Sequence, residues 1–151
     1  MHPLDNLDFI TNIVIAMAAG VCIGIEREMK GKNAGIKTNA LVAVGAAIYV
    51  NISFEFLNIP YMDISRIVSQ VVMGVGFLGA GVIIQDKKNI KGLTTAAAIW
   101  CSAGLGCLAA LKMYIPLLGS TLLIISINLL FGYSEIFKKN NKNKKEDSTN
   151  E

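Results

Sequence analysis

The sequence predicts an all-α membrane protein with five transmembrane helices, the N-terminus outside and the C-terminus in the cytoplasm. Three observations carry that reading. Hydrophobic residues make up 53% of the 151 residues and charged residues only 17%, against about a quarter in ordinary soluble domains; mean hydropathy is +0.52. The charges are also segregated. Stretches 9–25, 38–54, 67–84, 93–111 and 113–135 are almost free of them, and each approaches the length of about 20 residues that crosses a hydrocarbon core. Finally, twelve of the fourteen Lys and Arg residues fall after the first, third and fifth stretches and two fall elsewhere. Basic connections stay on the cytoplasmic side, and four or six crossings would spoil the alternation.

Taken in order, the leading "MHPLDNLD" carries Asp5 and Asp8 and no Lys or Arg. That is the reverse of a signal-peptide n-region, so the first helix is expected to stay in the mature protein. The first stretch repeats small residues at Ala16, Gly20 and Gly24, and the second repeats Asn39, Ala43, Ala47 and Asn51. Between them "EREMKGKNAGIK" supplies four basic residues. The third stretch contains "GVGFLGAG", in which Gly74, Gly76 and Gly79 match G-x-G-x-x-G. A dinucleotide fingerprint needs a strand before it and an acid about 20 residues on; here a continuous apolar span surrounds it and the nearest acid downstream is Asp86.

In a membrane the same glycines let backbones approach closely. Gly74 and Gly81 fall on one side of the helix and Gly76 and Gly79 on the other, which predicts a third helix either sandwiched at the centre of the bundle or locally unwound there. The fourth stretch answers with Thr94, Ala98, Ser102, Gly106 and Ala110 at every fourth position. The fifth is bulkier and is expected at the lipid-facing periphery, with Trp100 filling space beside the third helix. Residues 1–136 thus form one membrane domain. Residues 137–151, "FKKNNKNKKEDSTNE", are polar and of low complexity, which predicts a disordered lysine-rich tail on the cytoplasmic side.

Polar groups gather at the ends of the spans, and none that ionises lies at mid-span. The cytoplasmic rim holds Glu26, Arg27, Asn39, Asp86, Asn89, Thr94 and Thr95; the outer cluster holds Asp63, Arg66 and Gln70. At the rim, Arg27 is expected to pair with Asp86, leaving Glu26 open to a cation or a partner. Helix capping and headgroup contact account for the same residues structurally. His2 is the sole histidine, and Cys22, Cys101 and Cys107 sit inside helices, where Cys serves as a small packing residue. No metal-ligand cluster and no catalytic constellation stands out, so the sequence predicts a protein that is not an enzyme and has no cofactor. Mg²⁺ stays open, because it keeps much of its water and asks for one or two carboxylates. The bilayer is the expected environment, with no nucleic-acid partner.

Three long segments, "GVCIGIEREMKGKNAGIKTNALVAVGAA", "SRIVSQVVMGVGFLGAGVII" and "NIKGLTTAAAIWCSAGLG", resemble the signature of the MgtC/SapB membrane proteins. The resemblance covers roughly residues 7 to 132 and places Glu26, Arg27, Gly35, Thr38, Arg66, Gln70, Gly74, Gly76, Gly79, Gly81, Gly92, Thr95 and Trp100 on matching positions. It implies a bacterial plasma-membrane protein tied to growth in low Mg²⁺; some virulence-associated members restrain the proton-translocating ATP synthase. This chain departs from those members in two ways. Thr94 stands where they carry Asn, and a lysine-rich tail stands where they carry a soluble domain, as in the shorter, SapB-like branch. The implied function is a regulator that works by contact with other membrane proteins; the alternative is a small oligomeric transporter or channel for Mg²⁺.

Overall fold

The computed structural model describes residues 5–56, 63–86 and 89–147, with the side chains of the last helix through residue 131. Five helices and a hairpin follow one another: α1 (Asn6–Met29), α2 (Ile36–Ser53) with a 3-10 turn at Phe54–Phe56, α3 (Ile64–Gly81), the antiparallel strands β1 (Ile84–Asp86) and β2 (Asn89–Lys91), α4 (Leu93–Ala110) and α5 (Tyr114–Asp147). All five predicted stretches are helical. Among the described residues, four helices are long and apolar enough to cross a membrane: α1, α2 with its 3-10 turn, α4, and α5 as far as Phe131; the fifth, α3, is apolar but shorter over Ser65–Gly81.

Local chemistry sets the helix ends. Asp8 in the first turn of α1 and Arg27 in its last complement the helix dipole. The Glu28 carboxylate at the end of α1 accepts from the Ile36 N–H at 3.0 Å, so one helix caps the next. At α4, Gly92 has φ +92°, and a Cβ there would overlap the Val82 carbonyl; only glycine meets both demands.

The core is a three-helix seam of α1, α2 and α4. Its buried side chains are small: Ala16, Ala19, Ala43, Ala46, Ala47, Ala98, Ala103, Ala109 and Ala110, with Ile23, Val50, Ile99 and Leu105 filling between them. Backbones nearly touch at the crossings. A Cβ on Gly20 would lie 2.6 Å from the Asn39 carbonyl oxygen, one on Gly24 would overlap Ile36, and one on Gly106 would overlap the Ala43 carbonyl. Lipid offers no hydrophobic drive between helices, so this close approach is what joins them. The expected stripes on the first, second and fourth helices therefore lie on the faces that meet, except Thr94, which is exposed.

The third helix is not at the centre. Among the described side chains of α3 only Val75 and Gly79 are buried, and a Cβ on Gly79 would stand at an ordinary van der Waals distance of 3.6 Å from Ala96 of α4. A Cβ on Gly74, Gly76 or Gly81 would meet nothing within 4 Å. Small residues permit close approach but do not choose the neighbour; α1, α2 and α4 offer one another alanines at matching heights, and α3 meets that set along a single line. Trp100 does lie beside α3, lining with Val71 and Val72 a 310 Å³ cavity that α5 closes, but it is 53% exposed. The fifth helix is peripheral as expected, with Ile115, Leu118, Leu122, Leu123 and Leu130 exposed. It runs helically to Asp147, where composition predicts a disordered tail from residue 137.

Candidate functional site

Polar side chains collect at the two ends of the seam. One end is built from the last turn of α1, the first turns of α2 and α4, and the middle of α5. There Arg27, 3% exposed, donates from Nη2 to Thr95 Oγ1 at 2.6 Å, tying α1 to α4. Glu26, 8% exposed, forms an ion pair through Oε1 with Lys30 Nζ at 2.7 Å. The Lys30 ammonium also donates to the Asn128 carbonyl of α5. Glu26, Arg27, Lys30, Lys32, Thr94 and Asn128 line a cleft of 140 Å³, with Ile127 and Phe131 at its edge. The buried polar atoms without a hydrogen-bond partner there include Glu26 Oε2 and Asn128 Nδ2. One turn deeper, Asn39 donates to the carbonyls of Ala34 (2.7 Å) and Gly35 (2.9 Å) and accepts from Ser102 Oγ at 2.8 Å. Ser102 thus joins α4 to α2 by a hydrogen bond as well as by its small size.

Of the predicted rim, the structure gathers Glu26, Arg27, Thr94 and Thr95, places Asn39 below them, and sets Asp86 and Asn89 apart. The latter two face each other across the hairpin and are exposed. The expected Arg27–Asp86 pair is replaced by Arg27–Thr95, because the first turn of α4, not the hairpin, abuts the end of α1. Glu26 is not open either; Lys30, one turn on, holds one of its oxygens. Lys87 and Lys88 lie outside the described residues.

The predicted outer cluster is a helix start. Asp63 accepts from the Ser65 N–H at 2.8 Å and caps α3; hydrogen bonds from Ser65 hold its carboxyl below the usual carboxylate range. Arg66 and Gln70 are exposed. Gln70 borders an apolar groove of 510 Å³ between α2 and α3, lined among others by Leu41, Gly45, Tyr49, Gly74 and Leu78.

A second buried cluster, at the opposite end of the seam, escaped the sequence reading. Asn12 Nδ2 donates to Asn51 Oδ1 at 3.1 Å and to the Ala110 carbonyl at 3.4 Å, and Asn12 Oδ1 accepts from the Tyr114 hydroxyl at 3.0 Å. Four helices meet there. Its signal was present in the sequence: Asn12 precedes Ala16 by four and so extends the stripe of α1, as Asn51 ends that of α2. Beyond it Lys112 pairs with Asp8 at 2.7 Å, both partly exposed. Among the described residues no three His, Cys, Asp or Glu side chains come together as a metal would need.

Known proteins match this arrangement in sequence. The MgtC family's sequence model matches residues 13–136. The protein MgtC of Salmonella typhimurium strain LT2 is 43% identical over 122 residues, covering 81% of this chain and 52% of that protein. The protein MgtC of Brucella abortus is 42% identical over 115 residues, 76% of this chain and 48% of that one. A protein of Escherichia coli K12 named "Putative magnesium transporter YhiD" is 38% identical over 143 residues, 90% of this chain and 66% of that one. The chain thus spans about half the length of the MgtC relatives it matches. No solved structure matches it.

Proposed function

Because this chain belongs to the MgtC family, we propose that it serves Mg²⁺ homeostasis as a regulator that acts through contacts with other membrane proteins. It would sit in the bacterial plasma membrane with five crossings, its N-terminus outside and the Arg27 end facing the cytoplasm, as the twelve-to-two basic split favours. It performs no chemistry of its own in this reading.

The observation that carries the regulator over the transporter is the filling between the two polar ends. Ala16, Ile23, Ala43, Val50, Ile99 and Leu105 are all nearly or fully buried there, and intramembrane ionisable groups, the usual mark of an ion path, are confined to the ends. The cleft's donor set also fits Mg²⁺ poorly: its single described carboxylate is already paired, and Arg27, Lys30 and Lys32 stand beside it. The name of the Escherichia coli relative favours the second reading, an oligomer that moves Mg²⁺ along a path between copies.

Two measurements separate them. Purified protein in liposomes should leave Mg²⁺ flux at the level of protein-free vesicles; flux well above that level favours the transporter. In cells, Glu26→Gln should leave abundance nearly unchanged and impair growth at low Mg²⁺. Growth equal to the parent would remove this end from the function.

A further inference from the structure

Among the polar groups buried at the Arg27 end, an acceptor and a donor stand out. Glu26 Oε2 is an acceptor and Asn128 Nδ2 a donor, and each is shut away from solvent without a hydrogen-bond partner. Glu26 is 8% exposed. Leaving such groups unmet costs about 1–3 kcal/mol each, more for a charge, and native proteins rarely do so without an occupant. The volume, 140 Å³, exceeds many times the roughly 10–15 Å³ that one water needs.

The occupant must donate at one point and accept at another. A phosphate diester alone would satisfy Asn128 and be repelled by Glu26. A lone amine would satisfy Glu26 in a wall that also carries Arg27, Lys30 and Lys32. A group joining an ammonium to a phosphate answers both. The place agrees: Glu26 is in the last turns of α1 and Asn128 lies near the end of the apolar part of α5, the level at which lipid headgroups meet a spanning helix. The exposed side chains of Ile127 and Phe131 border the cleft on the lipid side.

We propose that this cleft binds an amino-phosphate headgroup, that of phosphatidylethanolamine, with the ammonium donating to Glu26 Oε2 and the phosphate accepting from Asn128 Nδ2 and the cationic wall. Lys30 keeps its place on Glu26 Oε1 and on the Asn128 carbonyl, so the lipid completes the α1–α5 contact. The assignment is independent of any role in Mg²⁺ homeostasis.

The test is native mass spectrometry of the full chain in detergent, with phosphatidylethanolamine, phosphatidylcholine and phosphatidylglycerol of identical acyl chains, and with soluble phosphoethanolamine. Phosphatidylethanolamine should be retained at least tenfold more than phosphatidylcholine, whose quaternary nitrogen has no N–H. Equal retention of those two, or retention of phosphatidylglycerol equal to or above that of phosphatidylethanolamine, overturns the assignment. Binding of soluble phosphoethanolamine as tight as that of the lipid would keep the chemistry and overturn the membrane as its source. Asn128→Ala leaves the Lys30 contact intact, since that contact uses the backbone carbonyl, and should cut the preference at least fivefold. Glu26→Gln should do the same. A folded Asn128→Ala protein with the full preference places the lipid elsewhere and overturns the site.

Discussion

The α1–α2–α4 seam and helix α3 use the same residue types to opposite effect. In the seam, Gly20, Gly24 and Gly106 bring backbones so close that a methyl group would overlap the neighbour; on α3, Gly74, Gly76 and Gly81 face open space. The difference lies in the partner. Asn39 and Ala40 stand opposite Gly20, Gly35 and Ile36 opposite Gly24, and Ala43 and Ala46 opposite Gly106, whereas α3 meets the bundle along one line, with Val75 and Gly79 buried and Val68 and Val71 partly so. A glycine stripe is therefore a licence for contact that takes effect only against a second stripe at the same height.

The largest expected effect comes from filling the seam. Gly24→Leu or Gly106→Leu should cost about 3 kcal/mol or more through overpacking and remove most folded protein from membranes. Gly76→Leu should change stability by less than ~0.5 kcal/mol, in line with an open surface position. Size-exclusion of a fluorescent fusion reads all three, and equal loss at Gly76 would show that α3 is packed on that face.

Next in size is Arg27→Ala, which removes a charged donor from the buried Thr95 hydroxyl and should cost about 1.5–3 kcal/mol on top of the packing of its apolar stem. Thr95→Val keeps the shape and loses one hydrogen bond to a charged group, for about 1.5–3 kcal/mol. Both are read as a fall in thermal midpoint in detergent. A midpoint for Arg27→Ala equal to the parent's would mean the contact is open to water.

How far the seam and the site can be read from the sequence follows from the same physics. The stripes Ala16–Gly20–Gly24, Asn39–Ala43–Ala47–Asn51 and Ala98–Ser102–Gly106–Ala110 name the packed faces directly, because helical period fixes which residues share a face. Glu26, Arg27, Thr94 and Thr95 are also legible, as polar residues at span ends. The Arg27 partner is not: the choice between Asp86 and Thr95 depends on where the hairpin swings, and no local propensity encodes that. The central position given to α3 failed because a single helix's composition says nothing of what stands opposite. Asn12 is less legible, because it continues the stripe one turn before Ala16 with a polar residue that a pattern of small side chains does not mark.

A smaller effect is expected at that second cluster. Asn12→Leu breaks bonds to Asn51, Ala110 and Tyr114, and hydrogen bonds between membrane helices average about 0.6 kcal/mol, so a loss of roughly 1–2 kcal/mol is expected. The thermal midpoint of Asn12→Leu, measured beside that of Gly76→Leu, checks the order: the Asn12 variant should be the lower.

The smallest effect is at Lys112. The Asp8 hydrogen bond pushes its pKa above the ordinary value. A raised pKa gives stability that is fully present below the ordinary lysine value and lost as pH rises through the raised one, so the contribution disappears above about pH 10.4. Lys112→Met should lower the neutral-pH midpoint slightly and flatten that alkaline limb, so that variant and parent converge at high pH.

The position of α3 against the seam is tested most directly by a disulfide. A Cβ at Gly79 would lie 3.6 Å from that of Ala96, within the roughly 3.5–4.5 Å that a disulfide spans. With the native cysteines replaced, Gly79→Cys with Ala96→Cys should oxidise readily, and trypsin cleavage at the intervening lysines should leave the two fragments joined until reduction. Gly74→Cys with Ala96→Cys should stay reduced. Joined fragments for the Gly74 pair and separate ones for the Gly79 pair would contradict an α3 that meets the seam along one face and leaves its other glycines open.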